Sequence, residues 1–205
     1  MLTVALPKGR ILKPLAAVLD GAGLPATEAL ANAGRALVVE MGPWQVLLLK
    51  DADVPVYVAE GVADCGVAGL DQVLERNLDV LRLLRLPFGH CALCLVAPVG
   101  RLVRETGRPL VLASKLPRLA AELAAGKGLN ARVVTLAGSV ELSARLELAD
   151  AAVDLVETGQ TLRENGLAPV EEWLRVAPYL IANRASLFLK GDEIRAARRT
   201  MGGTP

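Results

Sequence analysis

The sequence is poor in aromatic residues, in histidine and in cysteine, and it carries no excess of charge of one sign. Phe, Trp and Tyr make up only 3% of the 205 residues, so a core has to be built from Leu, Val and Ala. With 53% hydrophobic residues there is ample material for one, enough for one large or two small domains. Lys+Arg 23 against Asp+Glu 22 leaves a net charge of +1. No global field would recruit nucleic acid or an anionic membrane, so any anion site must be local. The one histidine, His90, leaves no histidine-based triad except through that residue. Lys8 and Arg10 interrupt the N-terminus before a secretory apolar run could form, so a cytoplasmic protein is expected. An odd, low cysteine count (Cys65, Cys91, Cys94) then points to free thiols. Cys91 and Cys94 form a CxxC beside His90, but inside the strand-like CALCLVA and with no second cluster to complete a four-ligand zinc site; no protein metal site is expected. No window approaches the ~18 apolar residues of a membrane span.

What is present is an alternation of strands and helices. Strands are expected at 2–6, 65–68, 80–84, 91–97, 110–113, 133–136 and 151–156, and in the strand-like run 173–181. Residues 36–41 and 45–50 form a hairpin about Gly42-Pro43. Helices fall at 11–22, 54–60 (capped by Asp51 or Asp53), from Asp71 through Asn77, around 117–125 (capped by Ser114), at 140–142, 162–165 and 191–201. This is α/β organisation with mixed, mostly parallel sheets. Two strand-rich halves meet near Leu86-Pro87-Phe88-Gly89, and the strand near 177–182 leads back into the first half. The expected result is two lobes, 1–86 with 178–205 and 87–177, and a ligand cleft between them.

The chemistry concentrates in turns after strands, where open α/β sheets bind ligands. The most informative stretch is DAAVDLVETGQTLRENGL, residues 150–167. A buried strand feeds a Thr/Gly turn that opens a short helix ended by Gly166. Such a turn gathers backbone N–H groups at one point and suits a phosphate, and the hydroxyls of Thr158 and Thr161 can add to it. Asp154 and Glu157, just upstream, imply sugar hydroxyls or Mg²⁺ beside that phosphate, hence a phosphoribosyl group. The plainer alternative is an ordinary strand-turn-helix with a Thr N-cap. Pro7-Lys8-Gly9-Arg10, directly after strand one, offers glycine, a point charge and a forked donor, as a pyrophosphate requires; the alternative is a solvated basic turn. Lys50 stands at a strand end. Gly66 and Gly69 read as tight turns where backbone approaches a ligand, and Asp64 and Asp71 as caps or ligands. Gly138-Ser139-Val140-Glu141 opens a helix where Ser139 and Glu141 could contact an anion, a base or hydroxyls.

ALPKGR at 5–10, DVPVYVAEGVADCGVAGLD at 53–71, GSVEL at 138–142 and DAAVDLVETGQTLRENGL at 150–167, in that order and spacing, resemble the ATP phosphoribosyltransferase family. The length is similar to that of its short form, which has no C-terminal regulatory domain. The resemblance implies a two-lobed, type II periplasmic-binding-protein-like fold. It implies transfer of the 5-phosphoribosyl group of phosphoribosyl pyrophosphate to N1 of ATP, the first step of histidine biosynthesis, with Mg²⁺ bound along with the pyrophosphate. It further implies a homodimer alone and, with a regulatory subunit related to histidyl-tRNA synthetase, a hetero-octamer. On the same ground Thr158, Gly159, Gln160, Thr161 and Leu162 are placed on the 5-phosphate, Asp154 near the ribose, Lys8 and Arg10 near the pyrophosphate or ATP phosphates, and Arg35 on the leaving group. The chain departs from the family pattern at Lys50 (usually arginine), Glu157 (usually small or Asp), Ser143-Ala144 and Glu147 (usually Gly).

Overall fold

Strand β1 (Leu2–Pro7) is buried at nearly every position, because both of its faces are covered. Leu2, Val4 and Leu6 pack with Leu15 and Leu19 of helix α1 (Leu12–Gly21), while Ala5 turns the other way onto Val54 and Val58 of helix α3 (Val54–Ala59). The computed structural model describes residues 1–101, 103 and 107–202. Around β1 a six-stranded sheet has the order β2-β3-β1-β4-β11-β5. Strands β3 (Trp44–Leu49) and β4 (Cys65–Gly69) run parallel to β1. Strand β2 (Val38–Met41) forms the expected hairpin with β3, turning at Gly42 with φ +57°. Strand β11 (Pro178–Ala182) is antiparallel to β4 and to β5 (Leu81–Arg85). Helices α2 (Ala26–Asn32), α4 (Leu70–Arg76), α8 (Arg184–Leu189) and α9 (Gly191–Thr200) complete this unit.

The second sheet has the order β10-β6-β9-β7-β8. Strands β7 (Leu110–Ser114), β8 (Ala131–Thr135) and β9 (Ala151–Val156) are parallel; β6 (Cys91–Pro98) and β10 (Leu167–Val176) are antiparallel additions on one side. Helices α5 (Pro117–Gly126), α6 (Val140–Arg145) and α7 (Gln160–Glu164) belong here, with Val140, Ala144 and Leu162 packed on Cys94, Val96, Ala113 and Ala152. The chain forms two compact units, Met1–Gly89 with Ala177–Pro205 and His90–Val176. Both sheets are mixed, as expected, but the parallel share is smaller: of nine strand pairings among the described residues, four are parallel. The strand-like run at 173–181 is two strands, β10 and β11, broken at Ala177, and β10 begins six residues earlier, at Leu167.

Several expected caps take other roles. Asp53 occupies the N-cap of α3 with its backbone only. Ser114 does not cap α5; its hydroxyl donates to the Val153 carbonyl at 2.7 Å and accepts from Leu116 N–H at 3.0 Å, tying the end of β7 to β9. Asp64 caps no helix. Its carboxylate accepts from Thr3 N–H and Lys190 Nζ, both at 2.8 Å, and so fastens the chain's beginning to the start of α9. Gly66 is not a turn but the interior of β4. A Cβ there would lie 2.7 Å from the Ala5 carbonyl and 3.0 Å from a Val54 methyl, so the glycine admits strand β1 and helix α3 rather than a ligand.

Candidate active site

In the second unit the parallel strands β7, β8 and β9 all end on one edge, and the residues that follow β8 and β9 gather there. A cavity of about 260 Å³ is lined by Glu141, by Asp154 and by every residue from Leu155 to Leu162. It therefore joins Glu141, Asp154, Glu157, Thr158, Gly159, Gln160, Thr161 and Leu162, eight of the expected site residues. Helix α7 starts two residues earlier than expected, at Gln160, so Gly159 and not a threonine is its N-cap. Gly159 has φ +68°, a conformation that costs a residue with a Cβ. Thr158 precedes it and uses its oxygen to accept from Gln160 N–H at 3.4 Å, a weak turn bond that leaves the hydroxyl hydrogen to donate. The Leu162 side chain is buried in the core, so only its backbone N–H can serve the cavity. The Gln160 amide donates to Glu164 at 2.9 Å. Glu157 stands on the rim, lining this cavity and a neighbouring one of about 380 Å³.

Asp154 is the acid that the site has to manage. Burial pushes its carboxyl above the usual range; Leu155 N–H and the charge of Lys115 pull it back, and the charge of Glu141 pushes it further up. Lys115, at the end of β7, was not among the residues singled out from sequence; the only signal was its position after a strand. Ser139 lies two residues before Glu141 with φ +47°, and its hydroxyl makes no capping bond to α6. It is not a simple N-cap.

In the first unit, β1, β3 and β4 likewise end on one edge. Lys8 N–H donates to the Leu49 carbonyl at 2.7 Å, which sets Lys8 and Lys50 at the ends of adjacent strands. Gly9, at φ +110°, turns the chain into α1, and Arg10 Nη1 donates to the Gly89 carbonyl at 3.1 Å. Arg35 precedes β2, whose start lies beside the end of β3: Leu48 N–H donates to the Leu37 carbonyl at 2.8 Å. Lys8, Arg10, Arg35 and Lys50 are all exposed. Gly69, at the end of β4, has a structural reason to be glycine: a Cβ would sit 2.2 Å from an Asp71 carboxylate oxygen. Asp71 is buried in the first turn of α4 without capping it, and burial raises its carboxyl while Gln72 and Arg10 oppose the rise. This edge carries Lys8, Arg10 and Lys50, with Arg35 ahead of β2, and the buried Asp71 feels the charge of Asp51 as well as that of Arg10.

The three cysteines are free thiols, as expected. Burial, with the charge of Asp64 added, pushes the Cys65 thiol up to about 12, which makes it a poor nucleophile. Among the described residues no helix is long and apolar enough to cross a membrane.

Comparison with known proteins gives the family of the chain. The family model described as ATP phosphoribosyltransferase matches residues 50–203. The ATP phosphoribosyltransferase of Thermococcus kodakarensis is 46% identical over 190 residues, covering 92% of this chain and 91% of that one. That of Sorangium cellulosum is 44% identical over 196 residues, covering 95% and 91%. Among solved structures, the ATP phosphoribosyl transferase (HisG:HisZ) complex of Thermotoga maritima superposes with TM-score 0.84 at 28% identity, covering 98% of this chain and 96% of that one. The periplasmic aliphatic sulphonate-binding protein SsuA of Escherichia coli, with TM-score 0.62, 13% identity and coverage of 98% and 70%, shares the fold alone. The fold is of the type II periplasmic-binding-protein-like class, and the chain belongs to the ATP phosphoribosyltransferase family, the pentosyltransferases of EC 2.4.2.17.

Proposed function

We propose that this chain is a cytoplasmic catalytic subunit that transfers the 5-phosphoribosyl group of phosphoribosyl pyrophosphate to N1 of ATP and releases pyrophosphate, the first step of L-histidine biosynthesis. The observation that carries the reading is the 260 Å³ cavity where the Thr158–Leu162 turn meets the carboxylates of Asp154 and Glu141. Backbone N–H groups and threonine hydroxyls take the 5-phosphate, and the two acids accept from the ribose hydroxyls. Lys8, Arg10, Arg35 and Lys50 supply the cations for pyrophosphate and the ATP phosphates. Adenine N1 attacks the anomeric carbon as the bond to pyrophosphate breaks, through an oxocarbenium-like state. Negative charge grows on the leaving group, so donors aimed there act more strongly in the transition state than before it. The N1 lone pair is unprotonated, and no general base is assigned.

Magnesium fits this donor set. Two hard carboxylates on the cavity proposed for the 5-phosphate and ribose match an ion held by one or two acids plus substrate oxygens, not by a protein cage. Asp154 and Glu141 would hold it, and when bound it would neutralise charge on the pyrophosphate.

The Thermotoga maritima relative was solved in a complex with a second protein, and the present chain spans 96% of the matched chain. In the proposed reading this chain pairs as a homodimer when alone and joins a histidyl-tRNA-synthetase-like regulatory subunit in a hetero-octamer. The test is to incubate the protein and that subunit with ATP, phosphoribosyl pyrophosphate and Mg²⁺, with pyrophosphatase to pull the equilibrium. A rise in absorbance from the N1-substituted product is expected; none would favour a non-catalytic solute-binding protein of the same fold.

A further inference from the structure

Arg163, in α7, reaches the Thr158–Leu162 turn. Its Nη1 donates to the Thr158 carbonyl at 3.0 Å, reaching back from inside α7 to the residue before the cap. The Thr158 carbonyl and the Gly159 N–H belong to one trans peptide plane and point in opposite directions. Fixing the carbonyl under the guanidinium therefore aims the Gly159 N–H the other way. Gly159 is shaped for this: besides its φ of +68°, a Cβ there would lie 3.3 Å from Arg163 Nη1. A second clamp follows the same logic, with Asn165 Nδ2 donating to the Thr161 carbonyl at 2.8 Å, in the plane that carries the Leu162 N–H. Left alone, a carbonyl turned toward the cavity would repel a phosphate.

We propose that Arg163 is a positioning residue for phosphoribosyl pyrophosphate: it binds the turn's carbonyl, not the substrate, and so keeps the turn's donors facing the 5-phosphate. This rests on the proposed use of the Thr158–Leu162 turn as the phosphate seat. The guanidinium matters for its reach and fixed plane; an ammonium in the same place restores the charge and part of the hydrogen bonding.

The experiment measures, by calorimetry on the full chain, the dissociation constants of phosphoribosyl pyrophosphate and of ATP for the parent, Arg163→Gln, Arg163→Lys and Thr161→Ala. Arg163→Gln is expected to weaken phosphoribosyl pyrophosphate roughly tenfold and ATP less than about twofold, as for loss of one charge-assisted hydrogen bond. Arg163→Lys should recover part of that loss. If Thr161→Ala weakens phosphoribosyl pyrophosphate but Arg163→Gln does not, or if Arg163→Gln weakens both ligands equally, the positioning role is overturned while the phosphate seat stands. If Thr161→Ala leaves phosphoribosyl pyrophosphate unchanged, the seat itself is wrong and the inference falls with it. Should Arg163→Gln not fold, the graded loss in Arg163→Lys decides: affinity equal to the parent overturns the role.

Discussion

Asp154 sits where function and stability conflict. Its carboxyl is raised by burial, against the pull of Leu155 N–H and Lys115, while Glu141 lines the same cavity. A carboxyl whose folded pKa exceeds its unfolded one stabilises the fold at pH values below the unfolded pKa. That contribution is lost as pH rises through the folded pKa, so at neutral pH the ionised form strains the empty site. Asp154→Asn should therefore raise the melting temperature at pH 7 while weakening phosphoribosyl pyrophosphate about tenfold, a cost expected for one lost charged hydrogen bond. Calorimetric melting with and without that ligand checks both halves, and a melting temperature that falls in the absence of ligand would contradict the account. Arg10 presents the complementary case. It is exposed, held by the Gly89 carbonyl and close enough to the buried Asp71 to lower its carboxyl. If its guanidinium meets the leaving pyrophosphate, Arg10→Ala lowers turnover by ~10²-fold or more, as for loss of one transition-state donor. Unchanged turnover in a steady-state assay with the regulatory subunit would contradict that. Lys8, Lys50 and Thr158 stood out in the sequence as candidates because each comes just after a strand, whereas Asp154 lies inside β9 and Arg35 rests on the family resemblance alone. Arg163 did not stand out, since an arginine in a helix has no local mark, and Lys115 has the same place after a strand as Lys8 but no glycine or second cation beside it.

At the scale of elements, the turns decide what the sequence conceals. Helix α6 ends at Arg145, and Glu147 follows in the left-handed region with φ +60°. The residue after a helix cap favours glycine because a Cβ is strained there. Glu147→Gly should stabilise the chain by about 1 kcal/mol, part of the strain relief being offset by a freer unfolded chain, as read from a urea melt. Gly66→Ala should act in the opposite direction. The new methyl would press on the Ala5 carbonyl, and a cost of about 1–3 kcal/mol is expected from such overpacking. An unchanged urea midpoint would contradict the close approach of β1 and β4. Hydrophobic runs made most strands readable from sequence, because strands covered on both faces show as continuous apolar segments. Helices α2 and α8, seven and six residues long, escaped, while equally short helices such as α3 and α7 were read from the caps and glycines at their ends rather than from a helical period. The Gly159 N-cap escaped because a glycine takes that position with its backbone alone, where a threonine is the expected cap.

For the whole molecule, two units are threaded by a chain that passes from the first to the second after Gly89 and returns at Ala177. The return strand β11 pairs with both β4 and β5, so the first sheet is incomplete until residues 178–182 have been added. The double crossover was visible as two strand-rich halves with a late strand left over. The antiparallel strands were less visible, since direction leaves no trace in an apolar run. Each unit has one chemically distinct edge: a Thr/Gly turn with acids in the second, and exposed cations near the buried Asp71 in the first. In the proposed reading the turn from Thr158 to Leu162 holds the 5-phosphate of phosphoribosyl pyrophosphate while other groups hold ATP. The measurement that tests it most directly is the pair of KM values of Thr161→Ala, taken in steady state with the regulatory subunit present. The account predicts that KM for phosphoribosyl pyrophosphate rises well above any change in KM for ATP; equal changes in the two would contradict it.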